Sequence, residues 1–183
     1  TSIVALLNND LIRPLDDLVK KHGKGLKKNQ LITIDGKIMA VAFMANAQHL
    51  VYRKDILKKL NIDVPKTYEE MLAAAKKIRA SGLVKNPVGG AYKAGWNLAQ
   101  EFNNMFIGYG GSHFKGNSAE PNVNSDAGVK ALKMMKSLSE YMNPDFLTHD
   151  SNATNAEFRA GNVAIMNMWG SRAATLVDAD GVS

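Results

Sequence analysis

The sequence predicts an α/β fold, a helix-rich lobe with a small mixed sheet, from two kinds of segment. Residues 38–43 are apolar at nearly every position, which is typical of a strand covered on both faces in a layered α/β domain. Residues 68–79 and 96–109 instead repeat apolar side chains every three or four positions, as amphipathic helices do. The 183 residues, 45% of them hydrophobic, suffice for one core, and residues 1–183 are expected to form a single lobe.

A hairpin introduces the first long strand. Asp35-Gly36 separates the apolar runs 31–34 and 38–43, and this dipeptide favours the positive φ angles of a two-residue turn. The amides Asn46 and Gln48 then interrupt the apolar run before residues 49–52 resume an extended pattern. Open α/β sheets hold their ligands at strand ends, so polar side chains at this break are candidates for a binding site.

Two capping boxes are predicted. Thr67 and Glu70 have the spacing of a reciprocal cap for the helix that follows, which Gly82 ends. Thr154 and Glu157 have the same spacing within a predicted helix at residues 151–160. The stretch 83–95 is rich in turn residues and no element is assigned to it.

Trp96 and Asn97 fall in the first turn of the predicted helix 96–109, outside its apolar stripe. This position matters because a helix start offers free amide hydrogens to a ligand. Gly110-Gly111 closes that helix.

Ser125 is predicted to cap a helix whose core face is Val129, Leu132, Met135, Leu138 and Met142. Residues 163–169 form a final strand that places Asn167 and Trp169 on one side, and Gly170-Ser171 turns the chain into a last short helix.

Several kinds of chemistry find no support in the sequence. The chain has no cysteine, and its four histidines are widely separated in sequence, without metal-ligand spacing. Neither GxxxxGK[ST] nor GxGxxG occurs, so a phosphate-binding loop is not indicated. No cofactor is expected. A carbohydrate-active enzyme remains an alternative. Its test is whether replacing a carboxylate such as Glu101 or Asp126 abolishes turnover of an oligosaccharide.

The net charge of +6 raises the possibility of nucleic-acid binding, because lysines crowd residues 20–28. Two glycines break that run and no aromatic side chain lies within it, so a solvated loop is the preferred interpretation. A basic nucleic-acid-binding module is therefore the weakest of the alternatives.

Aromatic and amide side chains at the ends of elements suggest a carbohydrate site. A sugar presents apolar ring faces and hydroxyl edges, which fit a flat aromatic ring and a rim of amides or charged groups. The candidate platforms are Trp96 and Trp169, the candidate rim is Asn46, Asn97 and Asn167, and Arg172 could donate to hydroxyls. Core packing for the tryptophans and turn or backbone bonding for the asparagines remain the alternatives.

The order of several short motifs resembles a known family. DGK, an apolar strand, YRKD and VPKTYEE are followed by Gly110-Gly111, by residues 123–125 opening a helix, and by FRAGNVAIM leading into Trp169-Gly170-Ser171. Together these resemble the extracellular solute-binding proteins of ABC sugar importers, the maltose-binding-protein-like group. The resemblance covers nearly the whole chain.

This resemblance implies one half of a two-lobed periplasmic-binding-protein fold, mainly the second lobe. The sequence is then expected to be a fragment that begins after the first lobe and stops before the C-terminal helices of its relatives. The implied protein is a monomer, periplasmic or extracellular, that binds a sugar-like solute without chemical change, delivers it to membrane permease subunits and binds no nucleic acid.

The resemblance also bears on the site residues. Related proteins place an aromatic side chain near the turn after the last strand, and they commonly show glycine, a small residue and then tryptophan. Here Trp169 precedes Gly170 and Arg172 occupies the later position, so either residue could take that role. Asn46 matches a position where relatives carry a polar ligand contact, whereas Trp96 and Asn97 match the family region loosely.

Overall fold

A computed structural model describes residues 3–176, apart from the side chains of residues 173 and 174. Internal contacts divide the chain into two compact units that meet in sequence between Asn46 and Ala47. The expectation that residues 1–183 form a single lobe stays a prediction. Each unit is described by itself below.

The first unit contains two short helices and a hairpin. Its elements are α1 (Ile3–Asn8), α2 (Asp16–His22), a 3-10 turn (Lys28–Gln30), β1 (Leu31–Ile34) and β2 (Lys37–Val41). Ile34 pairs with Lys37, and Asp35 and Gly36 have φ angles of 50° and 76°, which confirms the predicted two-residue turn.

The first unit has no fully buried side chain among residues 3–46. The strand β2 ends at Val41 rather than Phe43, and the Phe43 side chain is 90% exposed. The expectation that residues 38–43 form a strand covered on both faces is therefore wrong for the described residues.

The second unit holds a three-stranded mixed sheet and five helices within its described residues, which confirms the predicted fold class. Its strands are β3 (Gln48–Tyr52), β4 (Val88–Gly89) and β5 (Ile165–Trp169), in the order β3-β5-β4. The strand β5 runs antiparallel to β3 and parallel to β4. The helices are α3 (Lys54–Lys59), α4 (Tyr68–Ala80), α5 (Trp96–Gly108), α6 (Asp126–Ser139) and α7 (Ser151–Arg159), with 3-10 turns at Phe146–Thr148 and Gly170–Thr175.

The core of the second unit lies on both faces of β5. Ile165 packs with buried residues of α4, α5 and α6, including Ile78, Phe106 and Leu138. Met166 and Met168 belong to a separate cluster with Phe158 and other apolar residues. The strand β5 is therefore covered on both faces.

The helix caps in the second unit agree only in part with those predicted from the sequence. The Thr67 hydroxyl accepts from the Glu70 backbone amide at 3.1 Å, but the Glu70 carboxylate accepts from Lys66 rather than Thr67. The capping box predicted at Thr154 and Glu157 is wrong. Asp150 caps α7, and the buried Thr154 hydroxyl donates to backbone carbonyls from inside the helix.

The buried face of α6 is displaced from the predicted stripe. Val129 and Leu132 are 45% and 60% exposed, whereas Gly128 and Ala131 are buried beside the correctly predicted Met135, Leu138 and Met142. Small residues face the core because the N-terminal part of α6 lies very close to neighbouring backbone. The hydrophobic pattern of the sequence alone does not reveal that a helix lies this close to neighbouring backbone.

We expect Gly128→Ala to destabilise the protein by about 1–3 kcal/mol, because an added methyl group overpacks this site. An ideal Cβ at residue 128 would lie 2.0 Å from the Val123 carbonyl oxygen, which is backbone and cannot move aside cheaply. The helical control is Gly108→Ala, whose nearest neighbour would be a Tyr68 ring carbon at 3.6 Å. Urea unfolding measures both, and equal stabilities of the two variants would contradict the prediction.

Candidate ligand site

One face of the sheet carries a row of polar and aromatic side chains. Gln48 pairs with Trp169, and Leu50 pairs with Asn167, across the antiparallel strands β3 and β5. Directly opposite residues share a face of a sheet, so Gln48, Trp169 and Asn167 point to the same side. The Gly170 amide donates to the Ala47 carbonyl at 2.9 Å and extends the pairing beyond the strand.

The helix α5 lies against this face through its polar side. Asn97, Glu101 and Asn104 follow one another at spacings of four and three, which places them on one side of the helix. The Asn104 side-chain amide donates to the Gln48 side-chain carbonyl, and Glu101 is hydrogen-bonded to the Asn167 side chain. We call Gln48, Asn104, Glu101 and Asn167 the amide row, and it links α5 to both β3 and β5.

Trp96 and Trp169 stack on each other at the end of this row. Their ring centroids are 5.5 Å apart and their planes make an angle of 21°. Trp96 is 62% exposed, and Trp169 is half-buried. Since Trp169 covers one indole face of Trp96, that exposure leaves the other face open to solvent. We call these two residues the aromatic pair.

Arg172 lies in the 3-10 turn that follows β5. Its guanidinium donates to the Asn152 side-chain carbonyl at 2.6 Å. Asp150 is near two cations: its pKa is lowered mainly by the Ala153 backbone amide, and further by the charges of Lys93 and Arg172. The chain segments leading into Trp96 and out of Trp169 thus carry one cation each, and both cations lie near the Asp150 carboxylate.

Glu101, on the same helix as Trp96, is almost completely buried, with 3% of its surface exposed. Burial raises the pKa of its carboxyl group to about 7, against the opposing effects of the Ala91 backbone amide and the Asn167 side chain. Two tyrosines surround it. Asn167 donates to the Tyr68 hydroxyl at 3.3 Å, and the Tyr92 hydroxyl is buried without a hydrogen-bond partner among the described residues.

Two cavities lie in the second unit away from the aromatic pair. The smaller, of about 210 Å³, is lined in part by Leu50, Tyr68 and Asn167 and so touches the tyrosine side of the amide row. The larger, of about 570 Å³, follows the link between α3 and α4 from Asn61 to Lys77. The larger cavity contains no residue of the amide row or the aromatic pair, and we therefore do not place the candidate site there.

The part of the chain that the structure describes offers little support for other site classes. Residues 3–176 contain no group of three histidine, aspartate or glutamate side chains arranged to hold a metal ion. Within the same range, none of the helices has the length and apolar character needed to cross a membrane.

The family model for bacterial extracellular solute-binding proteins matches residues 2–182. The chain belongs to this family. The family resemblance inferred from the order of the sequence motifs is thereby confirmed.

Relatives of this solute-binding chain are found among both sequences and structures. A probable ABC transporter-binding protein of Deinococcus radiodurans is 31% identical over 159 residues, covering 82% of this chain and 37% of that protein. A glycerol-3-phosphate-binding periplasmic protein of Agrobacterium fabrum is 32% identical over 82 residues, covering 39% of this chain and 19% of that protein.

A solute-binding protein of Agrobacterium radiobacter, crystallised with ribitol, superposes with a TM-score of 0.83 at 28% identity, covering 98% of this chain and 47% of that one. A maltose-bound protein of T. maritima has a TM-score of 0.82 at 22% identity, covering 92% of this chain and 44% of that one, which supports the fold. This solute-binding chain thus spans less than half the length of these relatives.

The structure brings together four of the six candidate site residues predicted from the sequence. Trp96 and Trp169 stack, Asn167 lies on the strand face beside Trp169, and Asn97 lies half-buried one turn before Glu101 on the same side of α5. Their contact with a solute stays a prediction, as it does for Arg172. Asn46 is exposed and belongs to the first unit, so it is not described with the others.

Three residues of the site were missed or underused. Asn104 and Glu101 belong to the amide row and Tyr68 contacts it through Asn167, whereas the sequence pattern indicated only the apolar stripe of α5 and a core position for Tyr68. The spacing of Asn97, Glu101 and Asn104 on the opposite stripe was the signal that could have found two of them.

Proposed function

We propose that this chain is part of the substrate-binding component of an ABC importer and binds a sugar or polyol at the aromatic pair. The observation that carries the proposal is the stack of Trp96 on Trp169 at the end of a row of carboxamides. Membership in the solute-binding family and the ribitol complex of a 28% identical relative support the same class of ligand.

The chemistry of the site suits a neutral polyhydroxylated molecule. The open face of Trp96 can take the apolar C–H face of a sugar, while Trp169 backs the ring from the other side. Asn97 follows Trp96 directly, and Arg172 lies three residues after Trp169, so the Asn97 amide and the Arg172 guanidinium can donate to hydroxyls of the bound solute. Specificity then depends on a few polar groups around an aromatic surface.

A phosphorylated polyol is the second candidate. Lys93 and Arg172 lie close enough to Asp150 to lower its pKa, so two cations face one carboxylate in this region. Two cations would favour a ligand with negative charge, and one relative is named for glycerol-3-phosphate binding. Glycerol 3-phosphate and ribitol are therefore the two probes that separate the candidates.

The proposed mechanism is binding without bond making. The buried Glu101 is bonded to the Ala91 amide and to Asn167 and forms no ion pair or carboxylate pair among the described residues, so an acid and base pair for hydrolysis is not assembled around it. The solute would be released unchanged to permease subunits at the periplasmic or extracellular face of the membrane. A monomer without nucleic-acid affinity is the simplest assembly for this role.

Calorimetric titration with ribitol, D-mannitol, maltose and glycerol 3-phosphate tests the proposal. We expect saturable binding of at least one probe, and a loss of affinity of about tenfold or more in Trp96→Ala and Trp169→Ala, because truncating an aromatic side chain that packs on the solute removes about 1.4 kcal/mol or more. Phe114→Ala is the control, since Phe114 is 52% exposed on a loop outside the site. Binding that survives both tryptophan substitutions would contradict the proposed site.

A further inference from the structure

The start of α7 is hydrogen-bonded to the chain segment that leads into the aromatic pair. The Lys93 backbone amide donates to the His149 carbonyl at 2.9 Å, directly before Asp150, the N-terminal cap of α7. The Leu98 amide, in the first turn of α5, donates to the Lys93 carbonyl at 3.2 Å. The start of α7 is thus tied, through Lys93, to the turn of α5 that carries Trp96.

Two asparagine side chains of α7 hold the turn that follows Trp169. The Asn152 side-chain carbonyl accepts from the Arg172 guanidinium at 2.6 Å. The Asn155 side-chain amide donates to the Thr175 hydroxyl at 3.0 Å, and this hydroxyl donates to the Arg172 backbone carbonyl at 2.7 Å. Asn152 and Asn155 are three positions apart and so share one side of the helix. The helix therefore holds both the backbone and the guanidinium of Arg172.

The first turns of α7 are firmly placed. The Asp150 carboxylate accepts from the Asn152 and Ala153 backbone amides at 2.9 and 3.0 Å. One turn further on, the buried Thr154 hydroxyl donates to the Gly90 carbonyl at 3.1 Å and so fastens α7 to the segment after β4. Because the backbone of this turn is fixed, the Asn152 side chain offers its acceptor oxygen from a defined position.

Most donors of Arg172 remain available to a ligand. A guanidinium group has five N–H donors, and within residues 3–176 the Arg172 side chain uses them for its bond to Asn152 alone. The Asp150 carboxylate lies near enough to interact with the Arg172 charge, but neither ion pair of the described range includes them. Arg172 follows Trp169 by three residues, and three residues of a 3-10 turn rise about 6 Å. The long arginine side chain can therefore reach a solute that packs on the indoles.

We propose that Asn152 is a positioning residue that presents the Arg172 guanidinium to the solute. The bond to Asn152 holds the guanidinium in one orientation, and its remaining donors meet oxygen acceptors of the solute, either hydroxyl or phosphate. A side chain that is already ordered loses less conformational entropy on binding than a mobile one, so the bond raises affinity. The contact with the solute rests on the proposed function, whereas the ordering of Arg172 by Asn152 does not.

Nuclear magnetic relaxation of the arginine side-chain ¹⁵Nε nuclei in the ligand-free protein measures the positioning directly. The signal of Arg172 is identified by its loss in Arg172→Met. We expect an order parameter above about 0.6 in the wild type and below that value in Asn152→Ala, because the guanidinium then loses its acceptor. Asn152→Asp keeps an acceptor oxygen at the same position and should keep Arg172 ordered.

A double-mutant cycle with the probe that binds most tightly in the calorimetric titration measures the effect on the solute. We expect Asn152→Ala to weaken binding about threefold to tenfold, as the loss of one hydrogen bond would, and Arg172→Met to weaken it about tenfold or more. In the Arg172→Met protein, Asn152→Ala should weaken binding no further, because Asn152 acts through the guanidinium.

The matched control is Asn162→Ala, which removes an exposed asparagine side chain just after the C-terminal end of α7. It should leave both the order parameter of Arg172 and the affinity unchanged, since the Asn162 side chain is bonded to Glu157 and not to the turn after β5.

The inference is overturned if the order parameter of Arg172 is the same in wild type and Asn152→Ala, or if Asn162→Ala lowers it as much. It is also overturned if Asn152→Ala weakens solute binding equally with and without Arg172. The proposed function fails separately. If none of the sugars, polyols or glycerol 3-phosphate binds, the solute contact of Arg172 falls with the proposed function, and the order parameters alone decide whether Asn152 holds Arg172.

Discussion

As the pH rises from 4.5 to about 7, we expect the wild-type protein to lose about 3 kcal/mol of stability through Glu101. Glu101→Gln is expected to lack this loss. The pKa of Glu101 is raised from 4.5 to about 7 on folding, chiefly by burial. Each unit of pKa difference corresponds to about 1.4 kcal/mol, so the full difference gives about 3 kcal/mol as an upper figure.

The sign follows from proton binding. Between pH 4.5 and 7 the folded protein holds the Glu101 proton and the unfolded chain has released it, so raising the pH favours the unfolded chain. Below 4.5 both states are protonated, and well above 7 both are ionised, so Glu101 contributes no slope in either range.

Urea unfolding of wild type and Glu101→Gln at pH 4.5, 6 and 8 isolates this effect, because other titrating groups affect both proteins alike. The variant should gain stability relative to wild type as the pH rises. Glu140→Gln is the exposed control and should follow the wild-type curve. Parallel curves for wild type and Glu101→Gln would contradict the assignment of a raised pKa to Glu101.

Phe106→Ala is expected to lower the free energy of unfolding by about 3–5 kcal/mol, because it removes a fully buried aromatic ring and leaves a cavity. The Phe106 ring stacks on Phe102 at 5.5 Å and meets the edge of His113 at 5.3 Å. It also lies where a side chain at Gly111 would have to go, so α5 and the loop after it share this ring.

The matched control for Phe106→Ala is Phe114→Ala, which removes the same side chain from a position that is 52% exposed. We expect a change of less than about 1 kcal/mol there. Chemical denaturation at one pH gives both values. A Phe106→Ala variant as stable as Phe114→Ala would show that α5 is not anchored through this ring.

Sequence patterns predicted most elements of the fold because their signals are local. The turn at Asp35-Gly36, the helix that begins at Trp96 and the strand pattern of residues 163–169 each depend on a few adjacent residues. The strand β4 was missed because it has two residues, Val88 and Gly89, and its strand character comes from pairing with β5 far along the chain. The core stripe of α6 was misplaced for a similar reason, since Gly128 faces the core only because the Val123 backbone lies so close.

The candidate site shows the same division between local and distant information. Residue type and position at element ends were enough to select Trp96, Asn97, Asn167 and Trp169. The long-range hydrogen bonds of the site were not predictable from the sequence. The bond from Asn104 to Gln48 joins residues 56 positions apart, and that from Asn167 to Tyr68 joins residues 99 positions apart. The burial of Glu101 depends likewise on the packing of three separate elements around it.

Intermolecular nuclear Overhauser effects between a bound solute and the two indole rings test the central claim most directly. The measurement uses whichever sugar, polyol or polyol phosphate binds most tightly in the calorimetric titration. We predict cross-peaks from the solute C–H protons to the Trp96 indole, with weaker ones to Trp169. Cross-peaks confined to Ile62, Val64 and Ala74, which line the larger cavity beside α4, would contradict the assignment of solute binding to the aromatic pair.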